Sequence, residues 1–248
     1  MIDLHLHLIP GVDDGARTLE ESVELCRIAR ADGCTALVAT PHRRRDEWPD
    51  RPAAELEAAL AEVAAAAGDS PRLLLGGEVR VDSDLVRDLA HEDLGGAIPL
   101  AGSRYLLLEL EPDGFGPDPA ALAVELRAAG WRPIVAHPEV TPALAREPGA
   151  VAALAAAGAL FQITGASVVG DYGPRARALA HDMIASGHAH FLASDAHRPG
   201  WRPTGLARAR AEVERRFGGE LAAALTELHP RAVLEDRPLP VPAGEARR

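Results

Sequence analysis

Apolar and polar positions along this chain follow two rhythms that take turns, a period of two and a period near 3.6. Ile2, Leu4 and Leu6 alternate with Asp3, His5 and His7, which predicts a strand with both imidazoles on one face. A Pro-Gly pair then turns the chain and presents Asp13 and Asp14 just beyond the strand. From there the rhythm lengthens. Thr18 and Glu21 make a capping box, and Leu19, Val23 and Cys26 recur at helical spacing until Gly33. Cys34 to Thr40, reading CTALVAT, suits a parallel strand covered on both faces, and His42 lies immediately past it. A second helix is expected from about Ala53 to Ala67, with Leu56, Leu60 and Val63 on one side.

The alternation then continues to the end of the chain. Arg72 to Glu78 is a short apolar strand ending in Gly-Gly-Glu, and Tyr105 to Glu109 is another, reading YLLLE. Asp118 can cap a helix with Pro119 at its first position, and after Gly130 the strand Arg132 to Ala136 runs into His137. Leu160 to Thr164 is followed by the turn-rich GASVVGDYG, and His190 to Ala193 by Ser194, Asp195, Ala196 and His197. Seven strand-helix units are readable in this way. Strands alternating with helices through short Gly and Pro loops predict an α/β fold with a parallel sheet and right-handed crossovers, closed into a barrel. Closure is expected because His and acidic residues fall at the strands' carboxyl ends, where a barrel gathers its reactive groups. No internal linker separates domains, so residues 1–240 are expected to form a single domain. A short packed segment should follow His229, with disorder over 241–248.

Composition narrows the picture. At 248 residues the chain can bury a large core, and 47% of it is hydrophobic. No apolar run approaches bilayer length, so no membrane insertion is expected. Met1 leads directly into the first strand and leaves no room for a signal peptide, which points to the cytoplasm. Cys26 and Cys34 are then expected to be reduced, buried thiols. The formal charge is −11, from 37 acids against 26 bases, which argues against nucleic acid as a partner. All the basic residues are Arg, and the chain has no Lys and no Asn.

The candidate chemistry lies at the strand ends: His5, His7, one of Asp13 and Asp14, His42, Glu78, Glu109, His137, Asp195 and His197. Side chains two apart on a strand project about 6 to 7 Å from one another on one face, which lets two imidazoles converge on one ion. Imidazole and carboxylate donors without thiolate suit Zn, Mn or Fe, each taking about four to six ligands, so this many donors imply two or three ions. Three divalent ions bring about +6 and the carboxylates return about −4, a surplus that suits a dianionic phosphate. The competing structural reading has Glu78 and Glu109 capping helices or pairing with Arg. His91, His181, His188, His190 and His229 sit within or beside regular elements and are expected to serve packing or surface.

The motifs HLHLIPGVDDG, ATPH, GGE, LLLEL, VAHPE, QITGAS with GDYG, and SDAH, in that order, resemble the polymerase-and-histidinol-phosphatase (PHP) superfamily. Within it they most resemble the bacterial capsule-type, manganese-dependent protein-tyrosine phosphatases. The resemblance runs from residue 1 to roughly 240. It implies a distorted seven-stranded barrel with a trinuclear metal site of manganese, with Asp14, the second Asp of GVDDG, as the ligand from that loop. It also implies that Arg202, five residues after His197, holds the phosphate. One departure stands out: HPE usually continues with a second phosphate-binding Arg, whereas Val140 follows Glu139 here. Arg43, Arg44 and Arg45 can supply that cation, although an Arg run in a loop is more commonly a solvated face.

The resemblance implies a phosphomonoesterase acting on phosphotyrosine, for instance in the phosphorylated tail of a tyrosine kinase that controls exopolysaccharide export. Three other readings compete with it. The first is a phosphatase of a small phosphorylated metabolite, such as a sugar or histidinol phosphate, which the missing Arg favours. The second is a metal-dependent amidohydrolase, although those with a bridging carbamylated lysine are excluded by the absence of Lys. The third is a non-catalytic, metal-stabilised binder of phosphorylated tails.

Overall fold

The computed structural model describes residues 1–111, 117–147 and 149–240. Its strands are β1 (Ile2–Leu6), β2 (Ala36–Ala39), β3 (His42–Arg43), β4 (Arg72–Leu75), β5 (Glu78–Arg80), β6 (Tyr105–Glu109), β7 (Arg132–Ala136), β8 (Leu160–Thr164) and β9 (Phe191–Ala193). Every ladder between them is parallel. That is what strands joined by helical crossovers require. They form a three-stranded sheet in the order β1-β2-β4 and a six-stranded sheet in the order β3-β5-β6-β7-β8-β9.

The two sheets arise because two of the expected strands break. Pro41 interrupts the run after β2, and its carbonyl accepts the Glu78 N–H at 3.0 Å, so pairing resumes one step on as β3 beside β5. Gly76-Gly77 interrupts the Arg72 to Glu78 run in the same way. A Cβ on Gly77 would sit 2.7 Å from Arg43 Cγ, so only glycine lets the Arg43 side chain pass. At the other seam β1 meets the chain just after β9. The Asp195 N–H donates to His5 O and the His7 N–H to Ala196 O, both at 2.8 Å. The expected α/β fold with parallel strands is therefore present, but its pairing runs as two abutting sheets and not as one unbroken ladder.

β1 also departs from simple alternation. Its register against β2 shifts between Asp3 and Leu6, a bulge-like irregularity. Leu4 consequently packs with Val38, Leu107, Ile134 and Phe191, while Leu6 joins the larger cluster that the helices cover. The smaller cluster consists mainly of strand residues and is plugged by Val233 from the helix His229–Leu234. This is the packed segment expected after His229, and Tyr105 secures it by donating its hydroxyl proton to Arg237 O at 2.6 Å. Residues 241–248, where disorder was expected, lie outside the described residues.

Several local expectations hold. The helix Leu19–Ala31 starts at Thr18, whose Oγ1 accepts the Glu21 N–H at 3.3 Å. The Glu21 carboxylate reaches back one residue further than a capping box requires, to the Arg17 N–H at 2.8 Å. Asp118 caps the helix Pro119–Ala128 through the Ala120 N–H at 3.0 Å. Two expectations fail. GASVVGDYG is not a run of turns, since Gly165–Val169 is helical and Gly170 ends it in the left-handed conformation. His190 precedes β9 and is not part of it. Among the described residues, no helix is long and apolar enough to cross a membrane.

Candidate metal centre

The carboxyl ends of the strands bring the candidate residues together. His5 lies in β1 and His7 just past it, His42 and Glu78 open β3 and β5, Glu109 closes β6, and His137, Asp195 and His197 follow β7 and β9. His137 and Asp195 leave their strands in the left-handed region, at φ 32° and 53°. That conformation costs a non-glycine residue of order 1 kcal/mol. It turns the chain sharply enough to aim each side chain into the mouth. Gly15 is required for a different reason: a Cβ there would collide with the Cβ and carbonyl oxygen of His7.

Ligand atoms within 4.8 Å of one another form four overlapping groups among the described residues. They are His7, Asp14, His42 and His197; His5, Glu78 and His137; His5, His7 and Asp195; and His42, Glu78 and Glu109. All the residues singled out from the sequence fall in these groups, with Asp14, not Asp13, as the acidic member from the first loop. His5 Nε2 lies 3.5 Å from Glu78 Oε2 and 3.4 Å from Asp195 Oδ1. His7 Nε2 lies 3.4 Å from Glu78 Oε2, and Asp14 Oδ1 is 3.4 Å from both His42 Nε2 and His197 Nε2. Two ligands each about 2.1 Å from a shared ion stand roughly 3 to 3.4 Å apart, which these separations match. His5 Nε2, His7 Nε2, His42 Nδ1, His137 Nδ1, Asp14 Oδ1 and Glu78 Oε2 are all buried without a hydrogen-bond partner. Buried polar atoms are costly to leave unpaired, so this donor set fits divalent cations.

A surrounding shell fixes which nitrogen of His5, His7 and His197 faces inward. His7 donates from Nδ1 to Asp13 Oδ2 at 2.7 Å, and the same carboxylate accepts the Gly15 and His42 N–H groups at 2.9 and 3.1 Å. His5 donates from Nδ1 to Gln162 Oε1 at 2.8 Å. His197 donates from Nδ1 to Asp195 O at 3.0 Å. Each contact occupies Nδ1 and directs Nε2 at the cluster, the orientation a metal ligand needs. Asp13 and Gln162 were not assigned these parts from the sequence. The Asp-Asp pair and the polar residue inside an apolar strand were the available signals.

Electrostatics point the same way. Burial alone would raise the Glu78 carboxyl, but His5, His42 and His137 hold it well below the usual carboxylate range. Asp195 is likewise held low against its burial by His5, His7, His137 and Arg202, and Asp14 by His197 and His42. In return, Asp13, Glu78 and Asp195 overcome the burial of His7 and raise it well above an ordinary imidazole, and Glu78 raises the buried His137 to about 9. The carboxylates are ionised, and positive charge is drawn to whatever sits among them.

The three arginines after His42 are not a solvated face, which corrects the commoner reading of such a run. Arg43 is 4% exposed and donates to Gly96 O and Arg51 O at 2.8 and 3.0 Å. Arg44 is held by Asp82 and Asp88. Only Arg45 of the three turns into the mouth, where its Nε donates to Glu109 Oε2 at 2.8 Å beside the Arg80 Nε contact at 3.1 Å. Glu109 thus both belongs to a ligand group and pairs with Arg. Arg202, at φ 53°, pairs with Asp195 and reaches His197 Nε2 with Nη1 at 3.3 Å. Arg45, Val140 and Arg202 line one cleft of about 220 Å³ with Asp14, His42, Glu78, Glu109, His137, Asp195 and His197. His181, His188, His190 and His229 lie apart from it. His181 Nε2 donates to Val168 O at 3.0 Å and His229 Nδ1 to His190 O at 2.8 Å, the packing roles expected of them.

Comparison with known proteins agrees with this arrangement. YwqE of Bacillus subtilis, a tyrosine-protein phosphatase, is 33% identical over 229 residues, which is 92% of this chain and 89% of YwqE. CapC of Staphylococcus aureus, a putative tyrosine-protein phosphatase, is 32% identical over 82% of this chain and 79% of its own. Among solved structures, one from the metal-dependent tyrosine phosphatases YwqE of B. subtilis and CpsB of Streptococcus pneumoniae superposes with a TM-score of 0.89 at 30% identity, covering 96% of each chain. An organophosphorus hydrolase shares the fold alone, at a TM-score of 0.58 and 15% identity. The model of the capsular polysaccharide synthesis family CpsB/CapC matches residues 1–235, and the chain belongs to that family.

Proposed function

We propose that this protein is a metal-dependent phosphomonoesterase that hydrolyses phosphotyrosine in proteins, with a phosphorylated kinase tail as the substrate class. The observation that carries the reading is the set of buried, unpartnered donor atoms on His5, His7, Asp14, His42, Glu78 and His137. The activity of the relatives YwqE and CpsB supports the tyrosine assignment. His5, His7, Asp14, His42, Glu78, Glu109, His137, Asp195 and His197 would hold two or three divalent ions, manganese first among them, with iron and zinc as alternatives. Ions bound there supply Lewis acidity and an ionised water at neutral pH.

The chain's own residues do the rest. Asp13 and Gln162 keep His7 and His5 in the tautomer that leaves Nε2 free. Arg202, half-buried, paired with Asp195 and stacked 5.6 Å from the Tyr172 ring, neutralises charge on the phosphoryl oxygens as the ester bond breaks. We read residues 1–240 as one domain and place the activity in the cytoplasm, where the free, buried Cys26 and Cys34 would remain reduced.

The test is turnover of phosphotyrosine peptides, sugar phosphates and histidinol phosphate by manganese-loaded protein, before and after chelation. Preference for the phosphopeptides, lost on chelation and restored by manganese, is the expected result. Preference for the metabolites would move the substrate class. Tight binding of phosphopeptides without turnover would make the protein a binder.

A further inference from the structure

Two turns of the same build flank the candidate centre. Arg45 to Trp48 and Arg198 to Trp201 each close with an isolated antiparallel bridge between the Arg and the Trp. In each, the guanidinium lies over the turn's own indole, at 5.5 Å for Arg45 and 5.0 Å for Arg198. The Trp ring of each also rests on a histidine of the His7, Asp14, His42 and His197 group. Trp48 stacks on His42 at 4.9 Å with an interplanar angle of 9°, and Trp201 meets His197 edge-on at 5.4 Å and 82°.

The turns differ in which half remains available. In the first turn the indole face is taken up by His42, and the guanidinium lines the cleft, held by Glu109, itself a member of a ligand group. In the second the guanidinium is taken up, since Arg198 Nη2 donates to Asp14 O at 2.9 Å and Nε to Gly15 O at 3.2 Å, while Trp201 remains 48% exposed. Val140, on the cleft wall, is 36% exposed, and Trp201 lies against the cleft-lining His197 and Arg202, so two large exposed apolar side chains stand at or beside this mouth. A ligand that fits has a dianionic head for the two guanidiniums, Arg45 and Arg202, and a flat apolar body for the indole.

Building on the phosphatase reading above, we propose that these two turns recognise the substrate. Arg45 is the second phosphoryl-binding cation, across the cleft from Arg202, and Trp201 receives the aromatic ring of the ester. Aromatic pairs of this kind discriminate about three- to tenfold beyond simple burial. A charge-assisted contact from Arg45 is worth about tenfold or more. Glu109 pairs with Arg45 and also belongs to a ligand group, so a cation held by Glu109 would free Arg45 for the phosphate.

The experiment uses metal-loaded protein with phosphotyrosine and O-phosphoserine as paired aryl and alkyl esters, inorganic phosphate as a competing probe, and metal content measured by mass spectrometry. Trp201→Ala should raise KM for phosphotyrosine about three- to tenfold more than it raises KM for phosphoserine, with metal content unchanged, and Trp201→Phe should recover most of that difference. Arg45→Ala should weaken inorganic phosphate binding, read by calorimetry, about tenfold for an unchanged metal content, and should reduce kcat/KM for both esters alike. Arg45→Lys should restore part of it. Equal losses on both esters in Trp201→Ala overturn the aryl role. Unchanged phosphate binding in Arg45→Ala, or loss of metal from it, overturns the cation role. Failure of the unmodified protein to turn over any phosphomonoester is a separate result that would remove the phosphatase reading itself.

Discussion

Histidines gather at both ends of β9, and they are treated in opposite ways. At the entrance end, His190 Nδ1 accepts the Phe161 N–H at 3.2 Å, His229 donates to His190 O, and His188 Nδ1 pairs with Ser186 Oγ at 2.8 Å. At the exit end, His5, His7, His42 and His137 each carry a buried ring nitrogen with no partner, surrounded by ionised carboxylates. Folding alone explains the first set, because His190 and His229 each complete a backbone hydrogen bond that would otherwise be lost and His188 pairs with a serine hydroxyl. It does not explain the second. Orphaned donors facing one another at 3.4 to 3.5 Å are costly unless something outside the chain pairs them.

Breaking the exit end should have the largest effect. His7→Ala or Asp195→Asn is expected to remove most bound metal and to lower phosphomonoester turnover by more than about a hundredfold, while circular dichroism stays native. Chelation of the unmodified protein should cost about 3 kcal/mol if the metal is present near a hundred times its dissociation constant. For a chain of this length that is a melting shift of roughly 5 to 10 °C. Either variant retaining full metal and activity would refute the ligand assignment.

The shell around that end comes next. Gln162→Ala and Asp13→Ala remove the acceptors that set the tautomers of His5 and His7. Metal affinity should fall about ten- to a hundredfold, measured by competition with a chromogenic chelator. Arg202→Ala should lower kcat/KM by roughly ten- to a hundredfold with metal content unchanged, since a charge-assisted phosphate contact is worth about 1.5 to 3 kcal/mol. A drop in metal content instead would mean that Arg202 acts by holding Asp195.

The entrance end should respond to acid and not to metal. Burial, with the neighbouring His229, pushes the His190 imidazole down to about 4, so between about 4 and its ordinary value the unfolded chain binds a proton that the folded chain refuses. Stability from this group is therefore complete above about 6.5 and lost as pH falls toward 4, by up to about 3 kcal/mol. In urea titrations across that window His190→Asn should show a shallower acid loss than the unmodified protein, and parallel curves would contradict it. The smallest effect is expected from reducing agent. Cys26 and Cys34 are buried, unlinked thiols, and burial pushes Cys26 up to about 11, so thermal stability and mass should be the same with and without reductant.

The extent to which this protein could be read from its residues follows the range of the interactions involved. The helix Ala53–Ala67 and the strands Tyr105–Glu109, Arg132–Ala136 and Leu160–Thr164 lie where periodicity puts them, because each depends on side chains a few positions apart. The donors at the strand ends are legible for the same reason, since a parallel α/β fold carries every strand's carboxyl end to one side. Sequence by itself thus determined most of the elements, their direction and, apart from the choice between Asp13 and Asp14, the members of the cluster. The partner of each polar group was decided only by tertiary structure. His5 meets Gln162 across 157 positions and Arg45 meets Glu109 across 64, and no local pattern encodes such meetings. The breaks at Pro41 and Gly76-Gly77, the register shift in β1 and the burial of Arg43 are likewise settled by how neighbouring strands fit. A periodicity reports which face a residue occupies, whereas hydrogen-bond choice depends on which distant backbone arrives opposite that face.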